Sequence, residues 1–260
     1  MSFGKEDPTY RGLGSGRSRK LVIEMDGDDD FVEVGNYDVF NFNDAAGDKP
    51  FSLSAWVQTT SASDQGALIS KNGGSGVPSN WLLVHDQGEI QAFVYDGSGN
   101  NLAAIRAFTV SSGLLPPGEW CHVVMTYDGS ESENGINIYV NGQVQSVSRT
   151  NPNPYNGLQD TTTPVRLGAN ARDGIGNLFE KYITEAVVYD FALNSTEVSE
   201  VFNNGRPLDM TTFSRYADLV SWWRMGDGDS DVAGGIIDGV GSYNGTLQDD
   251  AKIVAVRDLP

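Results

Sequence analysis

The segment from Gly118 to Val144, GEWCHVVMTYDGSESENGINIYVNGQV, constrains this chain more than any other. Val123, Met125 and Tyr127 alternate with Val124 and Thr126, the period of a strand packed on one or both faces. Asp128-Gly129 ends that strand. After a polar loop Ile136, Ile138 and Val140 alternate again, and Asn141-Gly142 supplies a pair that tolerates positive φ in a tight hairpin turn. Two strands and the turns that bound them are legible here, and they direct the reading of the rest.

The same punctuation recurs along the chain. LVIEMDGDDDFVEVG, from Leu21, reads as two short strands broken by an acidic turn. From Phe51 to Val57 the alternation is clean: Phe51, Leu53, Ala55 and Val57 face one way, Ser52, Ser54 and Trp56 the other. Ala67–Ser70, Trp81–His85, Ile90–Tyr95 and Ala103–Val110 follow, separated by the loop Lys71–Ser79, the turn Gln87-Gly88 and the loop Asp96–Asn101. Strands at intervals of roughly 8–12 residues with Gly, Asn and Asp between them indicate a sandwich. One helix stands out, of about ten residues. Asn194 is its N-cap with Glu197 completing a capping box, Leu193 and Val198 form a hydrophobic staple, and Gly205 followed by Pro207 ends it. It is expected to cover one end of the sandwich.

Length and charge narrow the partners. A chain of 260 residues suits one large all-β domain or two small ones, and 39% apolar residues are enough for a substantial core. No apolar run approaches the ~20 residues of a membrane span. The N-terminal MSFGKEDPTYRGLGSGRSRK has basic residues without the hydrophobic stretch of a secretory signal. Cys121 is the single cysteine, so no intrachain disulfide forms; its alternation with apolar neighbours places it in the core. A protein that stays in, or is assembled in, the cytoplasm is expected. Net charge is −18, but the first 20 residues carry a net positive charge through Lys5, Arg11, Arg17, Arg19 and Lys20. The acidic body argues against nucleic acid as a partner. The Gly/Ser-rich basic arm would be disordered in isolation, and Arg11, Arg17, Arg19 and Lys20 are candidates for docking it, on a neighbouring subunit or on its own acidic domain.

Trp120, His122, Asp128-Gly129 and Tyr139-Val140-Asn141-Gly142 together resemble the W-x-H-V…Y-D-G…Y-V-N-G signature of laminin-G-like (concanavalin A-like) jelly-roll modules. The resemblance extends to Asp26-Gly27…Asp30-Phe31-Val32-Glu33-Val34, to Phe51–Val57, to Arg166-Leu167-Gly168 and to Ile183-Thr184-Glu185-Ala186-Val187. Ala192-Leu193…Glu197-Val198…Phe202-Asn203-Asn204-Gly205 resembles the helix that follows in the family. Near the end, Trp222-Trp223-Arg224-Met225-Gly226-Asp227-Gly228, Asp238 and Asn244-Gly245-Thr246-Leu247 are similar to a W-R-M-G-D-G…D…N-G-T-L element found in laminin-G-like structural proteins of tailed bacteriophages.

The fold expected is therefore all-β: a two-sheet antiparallel jelly-roll sandwich with one short helix, a basic arm over residues 1–20, the domain over 21–250 and a tail over 251–260. The resemblance implies a non-enzymatic virion structural protein, decorating the capsid or forming an appendage, homo-oligomeric and docked on other virion subunits by its terminal arms. The alternative is a carbohydrate-binding or adhesion module at a cell or particle surface.

Sites that carry chemistry are few. Glu24, Asp26 and Asp28 alternate, as paired carboxylates of a glycosidase would, but they coincide with the family's non-catalytic opening element and lack a final glutamate, so an acidic turn is expected. Calcium takes several oxygen ligands, and Asp26, Asp28 and Asp30, with Glu185, are the candidates; Asp227–Asp231 forms a second acidic turn. No cofactor is required by this reading. His122 occupies a structural position. Glycan binding needs aromatic platforms beside polar groups; Trp81, Tyr95, Tyr155 and Trp222 flank loops and are the candidates, whereas Trp56, Trp120 and Trp223 match core positions.

Overall fold

The computed structural model describes residues 20–74, 76–100, 102–170, 177–225 and 235–256. In chain order the strands begin with β1 (Lys20–Asp26), β2 (Phe31–Gly35), the short pair β3 (Asn43–Asp44) and β4 (Gly47–Asp48), and β5 (Phe51–Thr59). A meander follows: β6 (Gln65–Lys71), β7 (Trp81–Asp86), β8 (Glu89–Tyr95) and β9 (Ala104–Thr109). The hairpin read first from the sequence is β10 (Cys121–Tyr127) and β11 (Ile136–Val140), with β12 (Gln143–Val144) and β13 (Val147–Thr150) after it. β14 (Val165–Leu167) and the long β15 (Glu180–Tyr189) lead into helix α1 (Ser195–Phe202). The chain closes with β16 (Leu219–Trp223), β17 (Gly235–Ile236), β18 (Gly245–Gln248) and β19 (Lys252–Val256).

Two antiparallel sheets result. The eight-stranded sheet runs β12-β11-β10-β5-β15-β1-β19, and the nine-stranded sheet β13-β9-β8-β7-β6-β14-β2-β18-β17. β16 joins the first through β15. A bulge between Thr184 and Val187, with Glu185 at φ 49, divides β15: β1 pairs with its first half and β16 with its second. In the turn joining β11 to β12, Asn141 and Gly142 have φ of 50 and 75, the left-handed pair that their turn demands.

Period-two alternation decides which side chains meet between the sheets. Ile23, Leu53, Ala55, Val57, Val123 and Met125 from one sheet face Val32, Ile69, Leu83, Ala92, Ile105 and Leu167 from the other. Cys121 is buried among them. At one end of the sandwich Asp48 accepts hydrogen bonds from the hydroxyls of Tyr127 and Tyr155 and from the backbone of Leu158, each at 2.6 Å. Burial, together with that carboxylate, raises both phenols far above their ordinary range, so they remain donors.

The helix is eight residues long and carries the expected cap: Asn194 accepts from the Thr196 and Glu197 amides while the Glu197 carboxylate accepts from the Asn194 amide. It does not cover an end of the sandwich. Val198 and Val201 pack on Val124, Val187 and Tyr189, on the outer face of the eight-stranded sheet, where Phe213, Leu219 and Trp222 complete a second core. The outer face of that sheet carries an apolar patch of Val124, Tyr139, Val187 and Tyr189 that needs a cover, and α1 with the segment after it supplies one. The last segment also differs from expectation. Residues 252–256 are not a tail but an edge strand, with Lys252 opposite Glu24 and Val256 opposite Lys20. Among the described residues no helix is long and apolar enough to cross a membrane.

His122 sits in the second layer, its ring 5.1 Å from that of Trp56 and 6.2 Å from that of Phe202. Complete burial pushes its pKa down to about 3 from the ordinary 6.5. The folded protein therefore refuses a proton that the unfolded chain accepts, and this contribution to stability is full above pH 6.5 and lost as pH falls toward 3. His122→Phe, which keeps an aromatic ring between Trp56 and Phe202, is expected to lose about 2 kcal/mol less stability than the parent between pH 6.5 and pH 5. Urea unfolding at the two pH values measures this, and parallel losses would refute it.

Candidate functional site

The outer face of the nine-stranded sheet is where the structure offers a ligand a place. On β7, Trp81 and Leu83 point into the core, leaving Leu82 and Val84 on the outside. On β8, Ile90, Ala92 and Val94 are inward, so Phe93 and Tyr95 stand outward in register with them; on β9, Ile105 and Ala107 are inward and Ala104 outward. These outward residues form a cleft of about 160 Å³ whose apolar floor is Leu82, Val84, Phe93 and Tyr95. Polar groups ring it: the carboxamides of Asn72, Gln91, Asn170 and Asn177, the Asp86 carboxylate and the Arg106 guanidinium. Leu102, 54% exposed, stands at the rim.

The aromatic pair is held firmly. Phe93 and Tyr95 stack with centroids 5.7 Å apart and planes 7° from parallel. Phe108 meets Phe93 edge-on at 5.6 Å, and the Arg106 guanidinium carbon lies 5.5 Å from the Phe93 centroid. Burial lowers the Arg106 pKa, but a guanidinium so placed is still a cation at neutral pH. One wall is anchored by Lys71, the residue before Asn72. Its fully buried ammonium donates to Asn36 Oδ1 (2.9 Å), Thr161 Oγ1 (3.0 Å) and the carbonyls of Thr161 (3.2 Å) and Thr163 (2.7 Å). Burial brings its pKa down to about 8, against the opposing pull of Asp38 and Asp160. An apolar, aromatic floor ringed by carboxamides suits a ligand with C–H faces and hydroxyl edges.

Of the four aromatic candidates only Tyr95 is here. Trp81 is fully buried, its indole donating to the Phe40 carbonyl at 3.0 Å. Trp222 is 2% exposed in the second core and donates to the Glu185 carboxylate at 2.7 Å. Tyr155 is tied to Asp48. Flanking a loop therefore did not make these rings platforms: strand alternation and their own hydrogen-bonding groups turned them inward. Trp56 and Trp223 are core as expected, but Trp120 is half-buried and stacks on Tyr182 at 6.0 Å, on the other sheet. Phe93, Gln91 and Arg106 were missed; the signal was the period on β8 and β9, which puts Gln91 and Phe93 on the face of Tyr95.

The acidic candidates are also rearranged. Asp26 and Asp30 share a cluster with Asp29 and Asp250, one oxygen of each lying within 4.8 Å of the others. Asp28 is not part of it, nor is Glu185, because β1 runs antiparallel to β15 with Asp26 opposite Glu180, five residues short of Glu185. Burial and the neighbouring Asp26 carboxylate raise the Asp30 pKa. Glu24 does not form a carboxylate row with Asp26 and Asp28, since β1 ends at Asp26; it accepts from the Tyr182 hydroxyl at 3.2 Å and pairs with Lys252 at 3.3 Å. The arm residues Arg11, Arg17 and Arg19, and the turn at 227–231, lie outside the described residues; Lys20 opens β1.

Two stacked antiparallel sheets with this strand order, and a cleft on an outer face, define a jelly roll of the concanavalin A type. A family profile described as the concanavalin A-like lectin/glucanases superfamily, of the laminin G kind, matches residues 26–199, and the chain belongs to that family. Among solved structures it is similar to a putative carbohydrate binding protein from Bacteroides ovatus, at 16% identity and a TM-score of 0.62, over 92% of this chain and 61% of that one. The chain thus spans less than two thirds of that protein's length. It is also similar to the CBM40 of the Ruminococcus gnavus IT-sialidase, at 17% identity and a TM-score of 0.52, over 72% of this chain and 98% of that one. At these identities the likeness is one of fold. No curated protein sequence matches the chain.

Proposed function

We propose that the protein is a non-catalytic carbohydrate-binding module whose ligand lies in the cleft over Phe93 and Tyr95. The observation that carries this is the cleft itself, an aromatic floor with four carboxamides around it. Carboxamides offer both donors and acceptors to hydroxyls, and a ring face accepts the C–H side of a pyranose. The carbohydrate-binding descriptions of the two structural relatives point the same way. The virion structural role rests on the motif resemblance of the closing element and on the basic arm, and of these two readings the module has the better support. A virion protein presenting such a module at its surface would reconcile both.

The test is a glycan array probed with the full-length chain presented multivalently, followed by calorimetry on the best ligand. Binding to at least one oligosaccharide is expected, with a Kd in the micromolar to millimolar range typical of a shallow site. The absence of binding to any glycan at millimolar concentration, with and without calcium, would reject the reading. Incorporation of the chain into particles that fails on removal of residues 1–19 would instead favour the docking role.

A further inference from the structure

The bulge in β15 turns a carboxylate into an apolar layer. Ile183, Ala186 and Val188 face the main core, and Val187 and Tyr189 face the second one. Strict alternation would send Glu185 inward beside Ile183. The bulge between Thr184 and Val187 breaks that alternation. Glu185, at φ 49, stands on the outer side instead, where its Oε2 accepts from Trp222 Nε1 at 2.7 Å. There it lines a cavity of about 10 Å³ beneath α1, together with Ser54, His122 and Tyr189. That is about the least volume that holds one water. The polar groups around it do not satisfy one another. Ser54 Oγ and Tyr189 Oη lie 3.1 Å apart, and their mutual bond uses one of the two hydroxyl hydrogens. His122 is 2% exposed, and its Nδ1 is buried with no hydrogen-bond partner. Burial is the cause of its lowered pKa, so the ring is neutral at pH 7 and one of its two nitrogens is an acceptor.

We propose that this cavity binds one water molecule, which accepts from the Ser54–Tyr189 hydroxyl pair and donates to His122 Nδ1 and to the Glu185 carboxylate. A surplus hydroxyl hydrogen, a ring nitrogen without a partner and a carboxylate border one space that admits a single small molecule. Water both donates and accepts, so it completes all three at once, and three hydrogen bonds are the usual complement of a buried water. Leaving a buried polar atom unsatisfied is what such a water avoids. The water ties β5, β10 and β15 together under α1, because Ser54, His122 and the pair Glu185 and Tyr189 belong to those three strands. The bulge is what brings the acceptor for its second hydrogen to the cavity. The site is independent of the glycan-binding reading, because none of its residues lines the cleft.

A crystal structure of the full chain, at a resolution that orders buried waters, tests this. One solvent peak is expected about 2.7–3.2 Å from His122 Nδ1 and at hydrogen-bond distance from Ser54 Oγ or Tyr189 Oη. In solution, oxygen-17 relaxation dispersion counts long-lived waters. His122→Phe keeps a ring but has no nitrogen, and is expected to show one such water fewer than the parent. Glu185→Gln keeps an acceptor oxygen and removes the charge, so it is expected to retain the water, whereas a bound cation would leave with the charge. Circular dichroism establishes that each variant is folded, and the crystal of the parent decides alone if His122→Phe is not. The absence of a peak at Nδ1 in the parent, an unchanged count in folded His122→Phe, or loss of the peak in folded Glu185→Gln would each overturn the proposal.

Discussion

Asp238→Ala is expected to lower Tm by roughly 10 °C. Asp238 is 5% exposed and accepts four hydrogen bonds: from Ser221 Oγ (2.9 Å) and from the amides of Trp222 (2.9 Å), Val240 (3.0 Å) and Tyr243 (3.3 Å). Its own amide donates to Asn244 Oδ1 at 2.9 Å. Alanine leaves those donors without an acceptor, and an orphaned buried donor costs about 1–3 kcal/mol. Partial relaxation brings the total to about 3–5 kcal/mol, or roughly 2–4 °C for each. Asparagine keeps one acceptor oxygen and should fall between the two. Differential scanning calorimetry of the three proteins is the measurement; a Tm for the alanine variant within 3 °C of the parent, on the order of a single kcal/mol, would show that the acceptor is dispensable.

The second large effect concerns the cleft. Phe93→Ala removes the half-buried ring that Tyr95 stacks on, and with it the floor a sugar would cover. Glycan affinity is expected to fall at least tenfold, about 1.4 kcal/mol, which the loss of aromatic contact area readily supplies. Trp120→Ala is the control, because Trp120 is also a half-buried aromatic but stacks on Tyr182 in the other sheet. It should leave glycan affinity unchanged. If both variants bind as the parent does, the ligand lies elsewhere; if both lose binding together, the effect is on folding, and circular dichroism of the Phe93→Ala protein distinguishes the two.

Local chemistry was legible without a structure. The alternation of Phe51, Leu53, Ala55 and Val57 assigned an inward face that the core keeps, the Asn141-Gly142 pair made its turn, and Asn194 with Glu197 capped the helix as their spacing required. Each of these is an interaction between residues a few positions apart, where sequence spacing is spatial distance. Cys121 followed from the same alternation and His122 from the family resemblance, and both are buried.

What joins distant segments was decided only in three dimensions. Trp81 and Tyr95 both border loops, and only their pairing in the sheet sent Trp81 to the Phe40 carbonyl and Tyr95 to the cleft. The helix position depended on an apolar patch on the outer face of the eight-stranded sheet, a property shared among β10, β11, β15 and β16 and visible in none of them alone. Asp250 meets Asp26, Asp29 and Asp30 because β18 and β19 flank β2 and β1. Sequence by itself determined the alternating strands and their turns, because these arise from short-range periodicity and backbone sterics, and its motifs carried the family resemblance. Tertiary structure decided the sites, because a site is made where side chains far apart in the chain are brought to one face, and pairing register alone selects which face that is.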